Sequence, residues 1–147
     1  MPDAITNTSP ALYLYRIGTL DILAQLFERV WIPNAAVLEL KEGRQRGYDV
    51  PDPVDFPWLQ VTDPRSMPSE WLALDLGAGE RAAMALALEN PDRVVLLDDT
   101  LARRIAQAAG LQVWRTLSLA RSQVAGDGRE HHAAGQSPAR NGNVDFG

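Results

Sequence analysis

The chain has 147 residues, 46% of them hydrophobic, a length and composition that fit one globular domain with a real core and a short appendage. It contains no cysteine, which excludes disulfide frameworks, thiolate metal sites and cysteine nucleophiles and leaves oxygen and nitrogen groups to carry any chemistry. The formal net charge is -5 and Lys41 is the only lysine, a balance that argues against a sequence-independent DNA-coating protein but not against a phosphodiester enzyme, whose Mg²⁺-holding carboxylates are themselves acidic.

In chain order, AITNTSP (4–10) reads as a buried strand breaking into a helix. Ser9 can cap that helix with Pro10 at its first position, where a missing N–H costs nothing. ALYLYRI then runs to Gly18, and Thr19 can cap LDILAQLF, whose Leu20, Leu23, Leu26 and Phe27 share one helical face. VWIP (30–33) is a second strand, and Asn34 can cap AAVLELKE, which ends at Gly43. The proline-rich RQRGYDVPDPVDFP (44–57) is an irregular surface excursion before a third strand, WLQV (58–61).

A helix around 69–75 and a Gly77-Ala78-Gly79 break precede ERAAMALALE, the strongest helix of the sequence, bounded by Asn90-Pro91. RVVLL (93–97) is a fourth strand ending in Asp98 and Asp99; TLARRIAQAAG is a helix closed by Gly110, and LQVW a fifth strand. From Gly126 onward no period of either kind is visible. Residues 1–125 therefore form the expected domain and 126–147 an irregular, flexible tail.

Apolar strands without alternation, separated by helices long enough for crossovers, describe a parallel sheet covered on both faces. The expected fold class is α/β, a three-layer sandwich with a central, mainly parallel sheet of about five strands. Such sheets place their chemistry beyond the carboxyl ends of the strands, where crossovers diverge. Asn7-Thr8-Ser9 and Asp98-Asp99 occupy that kind of position.

Each candidate residue has an ordinary structural use as well. Either Asp98 or Asp99 can cap the following helix, although two acids in succession at a sheet edge point to a site. Glu80 complements a helix dipole, and Glu39, flanked by Val37, Leu38 and Leu40, could share a solvated face with Glu42. Arg103 and Arg104 lie one turn beyond the aspartates and fit either a solvated helix face or a grip on a phosphate backbone. His131 and His132 have no metal-site partner in the sequence pattern, and no glycine-rich phosphate loop is present, so nucleotide cofactors are not indicated. A phosphoaccepting receiver domain would carry its acidic pair on the first strand and a lysine late in the chain, which this sequence does not.

NTSP, PNAAVLELK, LDLGAGERAAMALALE and LLDDTLARRIAQAAGLQV together resemble the PIN domain, the fold of metal-dependent ribonucleases, over about residues 3–120. The most specific piece is GAGERAAMALALE to LLDDTLARR, and the likeness is to a bacterial and archaeal branch resembling toxin components of toxin–antitoxin pairs. By that resemblance the family's acidic positions fall on Asn7, Glu39, Glu80 and Asp98, with Asp99 beside the last and Thr8 and Ser9 beside the first. It implies Mg²⁺ or Mn²⁺ held by Asn7, Glu39, Glu80 and Asp98, and catalysis by Glu39, Glu80, Asp98 and Asp99. It further implies Ser9, Arg103 and Arg104 at the substrate, RNA as that substrate, a small antitoxin as partner and a homodimer. The chain lacks a long apolar run and a secretory signal, so a soluble cytoplasmic protein without membrane association is expected.

Two features depart from the family pattern. Asn7 offers a ligating oxygen without the charge of aspartate, which makes a catalytically impaired RNA- or protein-binding module the alternative expectation. Arg115-Thr116-Leu117-Ser118 stands where relatives continue GTLG and further helical segments, so a truncated or frame-altered terminus is expected there.

Overall fold

The short aliphatic runs pair into one five-stranded sheet in the computed structural model, which describes residues 2–119. In chain order the elements are β1 (Ala4–Ile5), α1 (Thr8–Arg16), α2 (Ile22–Leu26), β2 (Val30–Ile32), α3 (Asn34–Gln45), β3 (Leu59–Val61), α4 (Ala78–Glu89), β4 (Val94–Leu96), α5 (Thr100–Ala108) and β5 (Gln112–Trp114). Short 3₁₀ segments at Pro53–Asp55 and Ser69–Ala73 complete the connections. All pairings are parallel, in the order β3-β2-β1-β4-β5. The expected three-layer α/β sandwich is the observed one, while the tail at 126–147, with His131 and His132, lies outside the described residues.

Both faces of the sheet are apolar, so the period of two along each strand is real yet invisible in hydropathy. Ala4, Val30, Ile32, Val94 and Leu96 face one way, against Leu14 of α1, Leu23 of α2 and Leu40 of α3. Ile5, Val95 and Leu97 face the other way, against Met84 and Leu86 of α4 and Ala102 and Ala106 of α5. Each fully buried leucine or isoleucine contributes about 1.5–3 kcal/mol by leaving water. The alanines at 82, 83, 85 and 87 are all buried, and their small side chains let α4 pack closely against its neighbours.

From β1 the chain moves outward through β2 to β3, then crosses back past β1 to β4 and on to β5. The direction of winding therefore reverses between β1 and β4, which opens a crevice at their carboxyl ends. The opposite end of β4 is closed by Arg93, only 6% exposed. Its guanidinium pairs with Asp3 at 3.3 Å, donates to the Ala4 carbonyl at 3.3 Å and lies 3.2 Å from the centroid of the Trp31 ring. Burial pushes its pKa down, with Asp3 opposing that shift.

Some local expectations are corrected. Helix α1 begins at Thr8, so Asn7 rather than Ser9 is its N-terminal boundary residue. Helix α3 passes through Gly43 and ends before Gly47, which takes the left-handed φ of 90°. A Cβ at Gly43 would meet Val50 Cγ1 at 3.4 Å, an ordinary van der Waals contact, so packing does not demand glycine there. Asn34 is the first residue of α3 and not its cap, and its N–H is taken by Asp63 Oδ1 at 2.7 Å. The segment near 69–75 is the tighter 3₁₀ form. Among the described residues no helix is long and apolar enough to cross a membrane.

Candidate functional site

The crevice at the β1/β4 reversal is a cleft of about 620 Å³. The residues after β1 supply Asn7, Thr8 and Ser9 to its wall, and α3 supplies Glu39. The start of α4 brings Gly77 and Glu80, and the turn after β4 brings Asp98 and Asp99. Four segments far apart in sequence thus place one amide and four carboxylates around a single opening.

Each carboxylate is anchored by a different donor. Glu39 accepts from Thr8 Oγ1 through Oε1 and from the Gly79 N–H at 3.2 Å through Oε2. Gly79 permits this approach, because a Cβ there would sit 2.6 Å from Glu39 Oε1, 2.9 Å from Thr8 Oγ1 and 3.2 Å from the Ala36 Cα. Glu80 reaches back to the Gly77 N–H at 3.2 Å, which satisfies an orphan donor at the start of α4. Asp99 Oδ2 accepts the Ala102 N–H at 2.9 Å and so caps α5. Asp98 accepts from Thr116 twice, the N–H at 2.8 Å on Oδ1 and Oγ1 at 2.5 Å on Oδ2.

Glu80 feels the charges of its neighbours across the cleft. The Glu80 carboxyl is pushed above its usual range, chiefly by burial and then by the charges of Asp99, Glu39 and Asp98, with the Gly77 N–H pulling the other way. Asn7 is 1% exposed, yet neither Oδ1 nor Nδ2 finds a protein partner. As the boundary residue of α1 it would ordinarily cap the helix through its side chain, and it makes no such bond. An orphaned buried amide costs about 1–3 kcal/mol, which marks a place where a polar partner is missing.

A family model described as DUF3368, a PIN domain, matches residues 3–124. The chain belongs to the PIN domain family. No curated protein matches it. Among solved structures it is similar to a PilT N-terminus domain protein, SSO1118, from the hyperthermophilic archaeon Sulfolobus solfataricus P2. That likeness has a TM-score of 0.58 at 18% identity, covering 88% of this chain and 96% of the other, and bears on the fold alone.

PIN domains are generally nucleases that use divalent metal ions. In this PIN domain the donor set fits a hard cation, since the cleft offers carboxylate oxygens and one neutral amide oxygen, and the orphaned Asn7 Oδ1 has no other partner. Among the described residues, however, no three carboxylate or histidine side chains converge closely enough to grip an ion by themselves. The fit is therefore to an ion that keeps part of its water shell, as Mg²⁺ usually does.

Arg103 and Arg104 do not line the acidic cleft. They line a neighbouring one of about 320 Å³ with Thr100, Gln107, Val113 and Arg115. Ser9 lies in the acidic cleft itself. Sequence reading gave Thr116 and Arg115 no role in a site and did not find the close-approach role of Gly79. For Thr116 the signal was the register: Leu96 pairs with Trp114, and two residues further Asp98 meets Thr116.

Proposed function

We propose that this PIN domain is a Mg²⁺- or Mn²⁺-dependent endoribonuclease. The observation that carries the reading is Asn7, a buried amide without a protein partner, at the wall of a cleft that also holds Glu39, Glu80, Asp98 and Asp99. Asn7, Glu80 and Asp98 are the residues proposed to hold the ion, directly or through its waters, together with Glu39. A bound divalent ion supplies an acidified water and neutralises charge developing on the phosphoryl oxygens.

The chain's own groups do the rest. Glu39, held through both oxygens by Thr8 and Gly79, presents a fixed acceptor that can orient an attacking water and take its proton. Glu80, whose carboxylate is anchored by the Gly77 N–H at the start of α4, is suited to hold the ion or one of its waters. Asp99 adds negative charge beside Asp98 while capping α5. Ser9 offers a hydroxyl to substrate, and Arg103 and Arg104 offer positive charge to the phosphates that flank the scissile one.

A time course on a mixed-sequence RNA tests the reading. Cleavage is expected with Mg²⁺ or Mn²⁺ and is expected to vanish in Asp98→Asn and Glu39→Gln. Undiminished cleavage in excess chelator overturns the metal mechanism. The second reading, a PIN-like module that binds RNA or protein without cutting it, is favoured by the missing charge at Asn7. RNA binding without cleavage under every metal condition, in both the parent chain and Asn7→Asp, decides for it.

The proposal extends to a toxin role, with a small antitoxin as partner and a homodimer as the assembly, on the strength of the family likeness. Induced expression should then arrest growth with the parent chain and not with Asp98→Asn.

A further inference from the structure

Asp98 and Asp99 are adjacent acids with unlike supports. Asp99 receives one backbone N–H, from Ala102, as a helix cap does. Asp98 receives two donors from a single residue on the neighbouring strand's extension, one on each oxygen. A cap needs only the first of these. One hydrogen bond fixes where a carboxylate oxygen sits but leaves rotation about the last side-chain bond broad. A second bond, from a hydroxyl to the other oxygen, removes that freedom.

Thr116 is well placed to do so. It is 2% exposed, and its position follows from parallel register, since Leu97 N–H donates to the Trp114 carbonyl at 3.1 Å immediately before the contact. An ionised carboxylate has about four lone-pair sites, so two remain after Thr116 is served. We propose that the Thr116 hydroxyl is a positioning group that fixes the Asp98 carboxylate for a divalent cation. The inference rests on the hydrolytic reading above and assigns Thr116 no contact with substrate.

Thr116→Val keeps the side chain's shape and the backbone N–H and deletes only the hydroxyl; Thr116→Ser keeps the hydroxyl. Calorimetric Mn²⁺ titration of the full chain is the readout. Loss of a group that orients a metal ligand is expected to raise the Mn²⁺ Kd about 10- to 100-fold in Thr116→Val, with Thr116→Ser within about threefold of the parent. In an Asp98→Ala background Thr116→Val should add no further loss, a coupling that general destabilisation does not produce. Should Thr116→Val fail to fold, Thr116→Cys, with a weak S–H donor, carries the same expectation.

A Thr116→Val protein that binds Mn²⁺ as tightly as the parent overturns the inference and leaves the nuclease reading standing. A parent chain that binds no Mn²⁺ overturns both.

Discussion

Replacing Asn7 with aspartate restores a charge at a buried amide that has no protein partner among the described residues. At ~4 Å and an effective dielectric of ~20, one added charge changes the attraction for each unit of cation charge by about 4 kcal/mol. Most of that is offset, because a side chain only 1% exposed must be stripped of water and set among Glu39, Glu80, Asp98 and Asp99. A surplus of about 1.5–3 kcal/mol, the net worth of a contact to a charged group, corresponds to roughly 10- to 100-fold tighter metal binding. The sign reverses without metal, where the added charge only repels its neighbours. Asn7→Asp should therefore melt below the parent in chelator and gain more than the parent when Mg²⁺ or Mn²⁺ is added. Calorimetric titration and paired thermal melts measure both limbs. Equal metal affinity in the two proteins, with melting curves displaced by the same amount in both conditions, would place residue 7 out of the ion's reach and refute the reasoning.

Four other perturbations separate the parts of the site. Gly79→Ala puts a methyl group against Glu39 Oε1 and Thr8 Oγ1; the overpacking, about 1–3 kcal/mol, exceeds the gain of about 1 kcal/mol in helix propensity, so melting temperature should fall. Displacement of Glu39 should lower RNA cleavage by about 100-fold, and an unchanged rate would dissociate Glu39 from the reaction. For Glu80, the folded chain retains a proton that the unfolded chain has already lost, so metal-free stability falls as pH rises from the ordinary glutamate range through the raised value. Glu80→Gln should abolish that decline, and parallel pH–stability curves for parent and variant in chelator would contradict it. Asp99→Ala should cost about 1 kcal/mol as a lost cap, whereas Asp99→Asn keeps an acceptor for the Ala102 N–H, so any fall in metal affinity in the latter reports charge alone. Arg104→Ala should reduce the salt dependence of RNA affinity by about 0.7 in log–log slope per phosphate contact removed, and an unaltered slope would place RNA elsewhere.

The architecture was legible because apolar strands alternating with amphipathic helices admit few arrangements, and the polar breaks at Asn7 and Asp98 fall where a doubly wound sheet keeps its ligands. The misread boundaries have local causes. Ser9 and Asn34 are good capping residues by type, but Asn7 and Pro33 adopt the extended conformations that precede α1 and α3. Gly43 has the composition of a stop signal, but α3 runs through it to Gln45 and the left-handed turn falls at Gly47. Propensity reports what a residue can do at a boundary. Tertiary packing decides whether the boundary is there.

The acids that line the cleft were likewise legible as candidates: Glu80 at a helix start, Asp98 and Asp99 at a strand end, and Glu39, inside α3, through resemblance to a known family. Their supports were not. Thr8, Gly79 and Thr116 act across 31, 40 and 18 residues respectively, distances set by how α1, α3 and α4 pack and by how β5 aligns with β4. Apart from the family likeness, hydropathy and helix propensity do not distinguish Asp98 from Asp99. Strand register does, because side chains alternate along an extended segment: the position two beyond Leu96 inherits a partner from β5, while the next position turns into α5 and finds a helix N–H instead. The pair thus divides into an acid oriented by the sheet and an acid occupied by a helix, and the sheet-oriented acid is the one whose geometry is fixed independently of α5.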